Sequence, residues 1–183
     1  MDFEQYRNEL KSVLERCNRE DWESAAKELH DIWSNSGTVY VIGNGGSAAT
    51  ASHFETDWGK GLNSNLGSNY RVISLTSNLS MITAIGNDLG FEEIFSFQVK
   101  TKCNSTDCLL SISGSGNSIN IIQAIDTAIE KGMKTISLTG FSGGEVRQRS
   151  RHNVHVDSNN MQIVEDIHSM FGHFVLRYLG NVI

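Results

Sequence analysis

Two short loops rich in glycine, serine and asparagine stand out in this chain of 183 residues. Gly43-Asn44-Gly45-Gly46-Ser47 follows the β-like run Thr38-Val39-Tyr40-Val41-Ile42. Ser113-Gly114-Ser115-Gly116-Asn117-Ser118 follows Cys108-Leu109-Leu110-Ser111-Ile112. Each loop opens into a helix-like stretch. Glycine lets a backbone turn tightly and approach a ligand closely. A helix start presents free N–H groups and a partial positive charge. Serine hydroxyls add donors with little bulk. Two such loops in one small domain point to a phosphorylated ligand gripped between them.

Further along, His53 and Asp57 lie four apart on a helix-like stretch, which puts them on one face about one turn apart. Glu165 and His173 are eight apart on the last helix-like stretch. That is about 12 Å along the axis at the usual rise, with the two side chains some 80° apart around it. Such a pair meets awkwardly on one straight helix. From spacing alone, His53 and Asp57 also read as an ordinary surface pair, and His168 as a packed histidine. His30, His152 and His155 have no motif around them. Cys103 and Cys108 have no basic neighbour in sequence and offer no nucleophile.

The elements that must position these residues follow a regular alternation. Strand-like apolar runs at 38–42, 71–75, 108–112, 134–138 and 153–156 alternate with helical stretches at 47–58, 79–86, 118–131, 143–150 and 160–179. Continuous apolar strands spaced by helices predict a parallel sheet covered on both faces, here a doubly wound five-stranded α/β sheet. Ligands in such sheets bind beyond the strands' C-terminal ends, at the switch point, and both loops sit at strand ends. Two amphipathic helices over 2–17 and 21–35 precede the first strand, with Asp21 as the expected N-cap of the second. The division is one domain: a helical pair over 1–36 and an α/β core over 37–183. Residues 59–69 (GKGLNSNLGSN) read as a polar loop or lid.

Composition narrows the function. A net charge of −6 argues against non-specific nucleic-acid binding, and leaves an anionic ligand to be attracted mainly by backbone amides and helix ends. No apolar run approaches the ~20 residues a membrane helix needs. The start Met1-Asp2-Phe3-Glu4-Gln5 is acidic and polar, unlike a secretory signal. The three cysteines lack a CxxC spacing. Reduced thiols in a cytoplasmic protein are the expectation. A dehydrogenase is disfavoured, since GNGGS lacks the GxGxxG spacing and no acidic residue ends the second strand near Leu75.

Five stretches give the chain a family likeness. They are Gly43 to Ser47 with His53-Phe54, Gly86-Asn87-Asp88-Leu89-Gly90-Phe91, Ser113 to Ser118, Lys131 to Lys134 leading to Leu138-Thr139-Gly140, and Glu165-Asp166-Ile167-His168 with His173. In this order they resemble the sugar isomerase (SIS) domain, and within it the phosphoheptose isomerase branch. The resemblance implies interconversion of a seven-carbon ketose 7-phosphate with its aldose, in a homotetramer with active sites at subunit interfaces. It implies a phosphate held by Ser113, Gly114, Ser115 and Ser118, with Asn117 in the same loop. Gly114 stands where the family often carries a hydroxyl. It implies a sugar lined by Asn44, Ser47 and Asp88, with Gly45 and Gly46 in the first loop. The family's His, Glu, Gln and His become His53, Asp57, Glu165 and His173, a set suited to Zn²⁺ or a similar dication; Glu165 also joins the substrate contacts. By the same resemblance Asp57 and His173 form the acid/base pair. The shorter Asp57 and the charged Glu165 depart from the family pattern and open a second possibility, another phosphosugar. A third is a non-catalytic adaptor of the kind some relatives provide, which would have no reason to keep His53, Asp57 and His173 together.

Overall fold

The structure, a computed structural model, describes residues 2–66 and 69–182. Its centre is a five-stranded parallel sheet of β1 (Thr38–Gly43), β2 (Arg71–Ser74), β3 (Cys108–Ser113), β4 (Lys134–Thr139) and β5 (His152–His155), in the order β2-β1-β3-β4-β5. The chain leaves β1 toward β2, then returns to place β3 on the other side of β1. That reversal is the switch point. Gly43 is in register with Ile112, so the two loops emerge side by side. The doubly wound sheet expected from the alternating pattern is therefore present, and it aligns the loops without help from either.

Helices cover both faces: α1 (Phe3–Glu15), α2 (Arg19–Ser34), α3 (Gly46–Thr56), α4 (Asn63–Leu66), α5 (Leu79–Asp88), α6 (Ser96–Lys102), α7 (Ile119–Glu130), α8 (Gly144–Arg149) and α9 (Met161–Val182). Alternate residues of each central strand feed opposite cores. Val39, Val41, Leu110 and Ile112 pack with Leu29, Phe54, Phe171 and Val175 from α2, α3 and α9. Tyr40, Ile42 and Leu109 pack with Ile85, Val99, Ile121 and Ile125 from α5, α6 and α7. A smaller cluster of Val13, Val156, Ile163, Val164 and Ile167 seats α1 on α9. Two-sided burial is why β1 and β3 are apolar or small at every position.

Two local expectations need correction, and one stretch carried none. The N-cap of α2 is Asn18, whose side chain accepts from the Glu20 N–H at 2.8 Å; Asp21 falls in the first turn, where its charge favours the helix start. The stretch read as a polar loop is mostly helical. A π-helical segment, Asp57–Leu62, leads into α4, because Trp58 and Leu62 bury their side chains in the core; residues 67 and 68 of that stretch lie outside the described residues. The short helices after Gly90 (a 3-10 turn at Phe91–Glu93, then α6) carry too brief an apolar pattern to read. Ile94, Phe95 and Val99 nevertheless belong to the core.

Candidate active site

The switch point puts two helix starts side by side. Gly45, at φ +53°, turns the chain into α3, and no side chain caps the helix there. Ser118 begins α7, again without a side-chain cap. The first N–H groups of both helices are thus available to an anion. In the second loop the Ser113 hydroxyl accepts from the Gly116 N–H at 3.2 Å, and the Ser115 hydroxyl accepts from the Asn117 N–H at 3.3 Å. With those lone pairs engaged, each hydroxyl proton remains to donate outward. Gly116, at φ +68°, is required: a β-carbon there would stand 1.9 Å from the Gly143 carbonyl oxygen. Asn44 and Asn120 exchange two amide hydrogen bonds of 2.9 Å, locking the first loop to the first turn of α7.

Between the loops lies a cavity of 140 Å³ walled by Asn44, Ser47, Ser113, Gly114, Ser115 and Ser118, with Met161 and Glu165 from α9. Most of the residues expected to contact substrate meet here. Gly46 lines up with them, since a β-carbon on it would stand 3.0 Å from Glu165 Oε1. Asn117 serves the loop itself: its amide donates to the Ser115 carbonyl at 3.0 Å, and its oxygen accepts from the Glu145 N–H at 3.3 Å. Asp88 ends α5, exposed and bonded to the Asn87 amide at 2.8 Å, away from this cavity.

A second group of chemically capable side chains forms where α3 crosses α9. A β-carbon on Gly172 would lie 2.1 Å from the Phe54 ring, so only glycine permits so close an approach. The Trp58 indole N–H donates to the Gly172 carbonyl at 2.9 Å, and Trp58 stacks on Phe54 with ring centroids 4.5 Å apart. The neighbours in sequence follow. His53 Nε2 comes within 3.1 Å of His173 Nε2 and 3.1 Å of Asp57 Oδ2, and His173 Nε2 lies 3.6 Å from that oxygen. Asp57 opens the π-helical segment, a departure from regular winding of the kind often found at functional sites.

These three distances test whether a metal fits. Tetrahedral ligands at the usual Zn–N and Zn–O lengths stand about 3.3 Å from one another. The observed 3.1, 3.1 and 3.6 Å bracket that spacing. All three side chains keep solvent access, from 26% for Asp57 to 58% for His173, so a fourth position stays open, as catalytic sites need. Glu165, expected as a fourth ligand, stands outside this group. Eight residues of straight helix carry it about 12 Å from His173 along α9, and its carboxylate rests at the start of α3 instead. The missed signal was Gly172: a glycine in the middle of an apolar helix can mark a close crossing, and the crossing sets which side chains meet.

Beneath both groups, α9 buries His168. Burial lowers its pKa to about 4, the Thr139 backbone works the other way, and nearby His155 adds to the lowering. Neither ring nitrogen has a hydrogen-bond partner of good geometry. It is a neutral packed histidine, as its surroundings in the sequence suggest. Burial also pushes the Cys103 thiol up to about 12 and the Cys108 thiol higher still. Neither is a nucleophile.

The SIS domain family matches residues 3–140. A phosphoheptose isomerase of Aliarcobacter butzleri is 34% identical, covering 98% of this chain and 94% of the relative. The structure of a phosphoheptose isomerase from Francisella tularensis superposes with a TM-score of 0.91 at 30% identity, covering 98% of this chain and 95% of that one. Phosphoheptose isomerase GmhA from Neisseria gonorrhoeae gives 0.84 at 31% identity, covering 98% and 92%. With a parallel sheet of SIS type, serine-bearing loops at its switch point and relatives matched along nearly their full length, the chain belongs to the SIS-domain family, on its phosphoheptose isomerase branch.

Proposed function

We propose that this protein interconverts the ketose and aldose forms of a phosphorylated sugar, sedoheptulose 7-phosphate and D-glycero-D-manno-heptose 7-phosphate. The observation that carries the proposal is the pairing of a serine-walled anion cavity with a His–Asp–His cluster on the same two helices, α3 and α9. Six residues of α3 separate Ser47 from His53, and eight of α9 separate Glu165 from His173. At helical rise these are about 9 Å and 12 Å, a span suited to a long sugar phosphate held at one end and reacting at the other. The relatives named as phosphoheptose isomerases support this substrate.

In this reading Ser113, Ser115 and Ser118 donate to the phosphate, with the backbone N–H groups of Gly114 and of the α3 and α7 starts. Binding energy from that end positions the reacting carbons. Glu165, an acceptor in the cavity wall, takes a sugar hydroxyl. Asp57 and His173 move the proton: one removes it from the carbon beside the carbonyl, and the other serves the oxygens as the enediol forms. His53 holds both in place. His53, Asp57 and His173 would hold a dication, for which zinc suits the nitrogen-rich donor set; it would polarise the carbonyl and hydroxyl oxygens in place of the acid/base role of His173, leaving the second carboxylate oxygen of Asp57 to carry the proton.

The proposal extends to a homotetramer with sites at subunit interfaces. Exposed Asp88 sits beside exposed Leu89 and Phe91, a surface through which one subunit can hand Asp88 to the sugar of another. The setting we infer is cytoplasmic; no described helix is long and apolar enough to cross a membrane. The test is to incubate zinc-loaded protein with sedoheptulose 7-phosphate and follow the aldose by NMR, with and without a chelator. Turnover that a chelator stops and zinc restores is expected. Folded, zinc-loaded protein that binds the ketose and never converts it would end the proposal.

A further inference from the structure

The second loop holds two glycines of different kinds. Gly116 needs its glycine for backbone reasons, at φ +68°. Gly114 does not: its φ lies outside the left-handed region, and a β-carbon there would collide with one atom only, Met161 Sδ. A β-carbon on Gly114 would stand 2.8 Å from Met161 Sδ and 3.5 Å from its methyl. Met161 walls the same cavity as Ser113, Ser115 and Ser118, so its thioether occupies the space that a side chain at 114 would fill.

The backbone beneath Met161 is fixed. Val164, one turn on, is wedged against Gly140, where a β-carbon would come within 2.5 Å of it. The Gly140 N–H donates to the Gly114 carbonyl at 2.9 Å. Asn160 donates from its amide to Glu9 of α1 at 3.1 Å and accepts from the Val164 N–H at 3.0 Å. Only the side chain of Met161 is free to adapt, with three rotatable bonds and a polarizable sulfur.

We propose that Gly114 and Met161 are a matched pair that sets the size and donor count of the phosphate subsite, with Met161 as a specificity-determining residue. The proposal rests on the reading that the second loop holds the phosphate. Met161 supplies an apolar wall where a hydroxyl-bearing residue at 114 would supply a donor. The subsite therefore grips phosphate through three serines and backbone amides, and it cannot gain a fourth hydroxyl without moving the thioether.

The test is a double-mutant cycle, read by calorimetry with inorganic phosphate and by KM for the sugar phosphate. In Gly114→Thr the new side chain drives Met161 into the cavity, and phosphate binding weakens about fivefold or more. In Met161→Ala the cavity loses its wall and binding weakens about two- to fivefold. Combining the two lets the threonine hydroxyl take the vacated space, and binding returns to the wild-type level or better. The losses fall in KM more than in kcat, because the pair sits at the end of the substrate remote from the His–Asp–His cluster. Should Gly114→Thr alone fail to fold, the comparison of Met161→Ala with Met161→Ala/Gly114→Thr still decides: a further loss in the double variant overturns the pairing, as do strictly additive effects in the full cycle. Ser115→Ala separates the pairing from its premise. If that variant binds phosphate as wild type does, phosphate is held elsewhere and the subsite assignment falls together with the pair; if it weakens binding while the cycle is additive, the pair alone falls.

Discussion

The serine-walled cavity and the His–Asp–His cluster are built in opposite ways. The cavity is made of backbone: loop amides, two helix starts, and short hydroxyls whose lone pairs are already bonded within the loop. Most of its wall comes from two short loops that the sheet register sets side by side, and α9 closes it with Met161 and Glu165. The cluster is made of side chains from α3, the π-helical segment and α9, and His173 stands more than a hundred positions from the two it meets. Helical spacing joins His53 to Asp57, and the crossing at Gly172 and Phe54 brings His173 to them. A preformed backbone cradle is suited to holding an unreactive group, whereas proton transfer needs groups whose positions packing can tune.

The two regions are expected to separate on mutation. Asp57→Asn and His173→Ala should each lower kcat by about 10²–10⁴-fold, the usual contribution of an acid/base group, while phosphosugar affinity measured by calorimetry stays within a fewfold of wild type. Equal loss of binding and turnover would mean that the regions are not separate. Gly172→Ala attacks the crossing itself. The added methyl collides with the Phe54 ring, and overpacking of this kind costs about 1–3 kcal/mol, read as a lower melting temperature. Turnover should fall further than stability explains, and Phe54→Leu in the same chain should recover part of both. A Gly172→Ala enzyme with normal kcat would show that the crossing does not set the cluster.

A pH-dependent effect, confined to acid solution, concerns the helix that both regions share. His168 is lowered to about 4 in the folded chain from an ordinary value of 6.5. Between those two values the unfolded chain binds the proton more readily, so stability is complete above pH 6.5 and declines as pH falls toward 4. The loss from this one group reaches about 3 kcal/mol at the acid end. Thermal melts from pH 7.5 to 4 should show a shallower decline for His168→Asn than for wild type. Parallel profiles would remove His168 as the cause.

Much of this was legible in the sequence. The five strands were visible because two-sided burial makes them continuous apolar runs, and the loops because turn and helix start are local properties of Gly43–Ser47 and Ser113–Ser118. The joining of His53 to Asp57 follows from helical spacing. What misled was polarity read as looseness: residues 59–66 look like part of a lid, yet Leu62 is a core residue and the segment is helical. The helix Ser96–Lys102 was too short for its period to show.

The amino-acid sequence by itself determined the parallel sheet, the order of loops and helices, and the residue types offered at each strand end, because periodicity, turn chemistry and helix starts act over a few residues. Only the tertiary structure decided that His173 joins His53 and Asp57 while Glu165 goes to the cavity, and that Gly114 is paired with Met161. Those outcomes depend on how closely two helices and two loops can approach, and that is set by the absence of a β-carbon at Gly172 and Gly114, opposite partners far away in the chain.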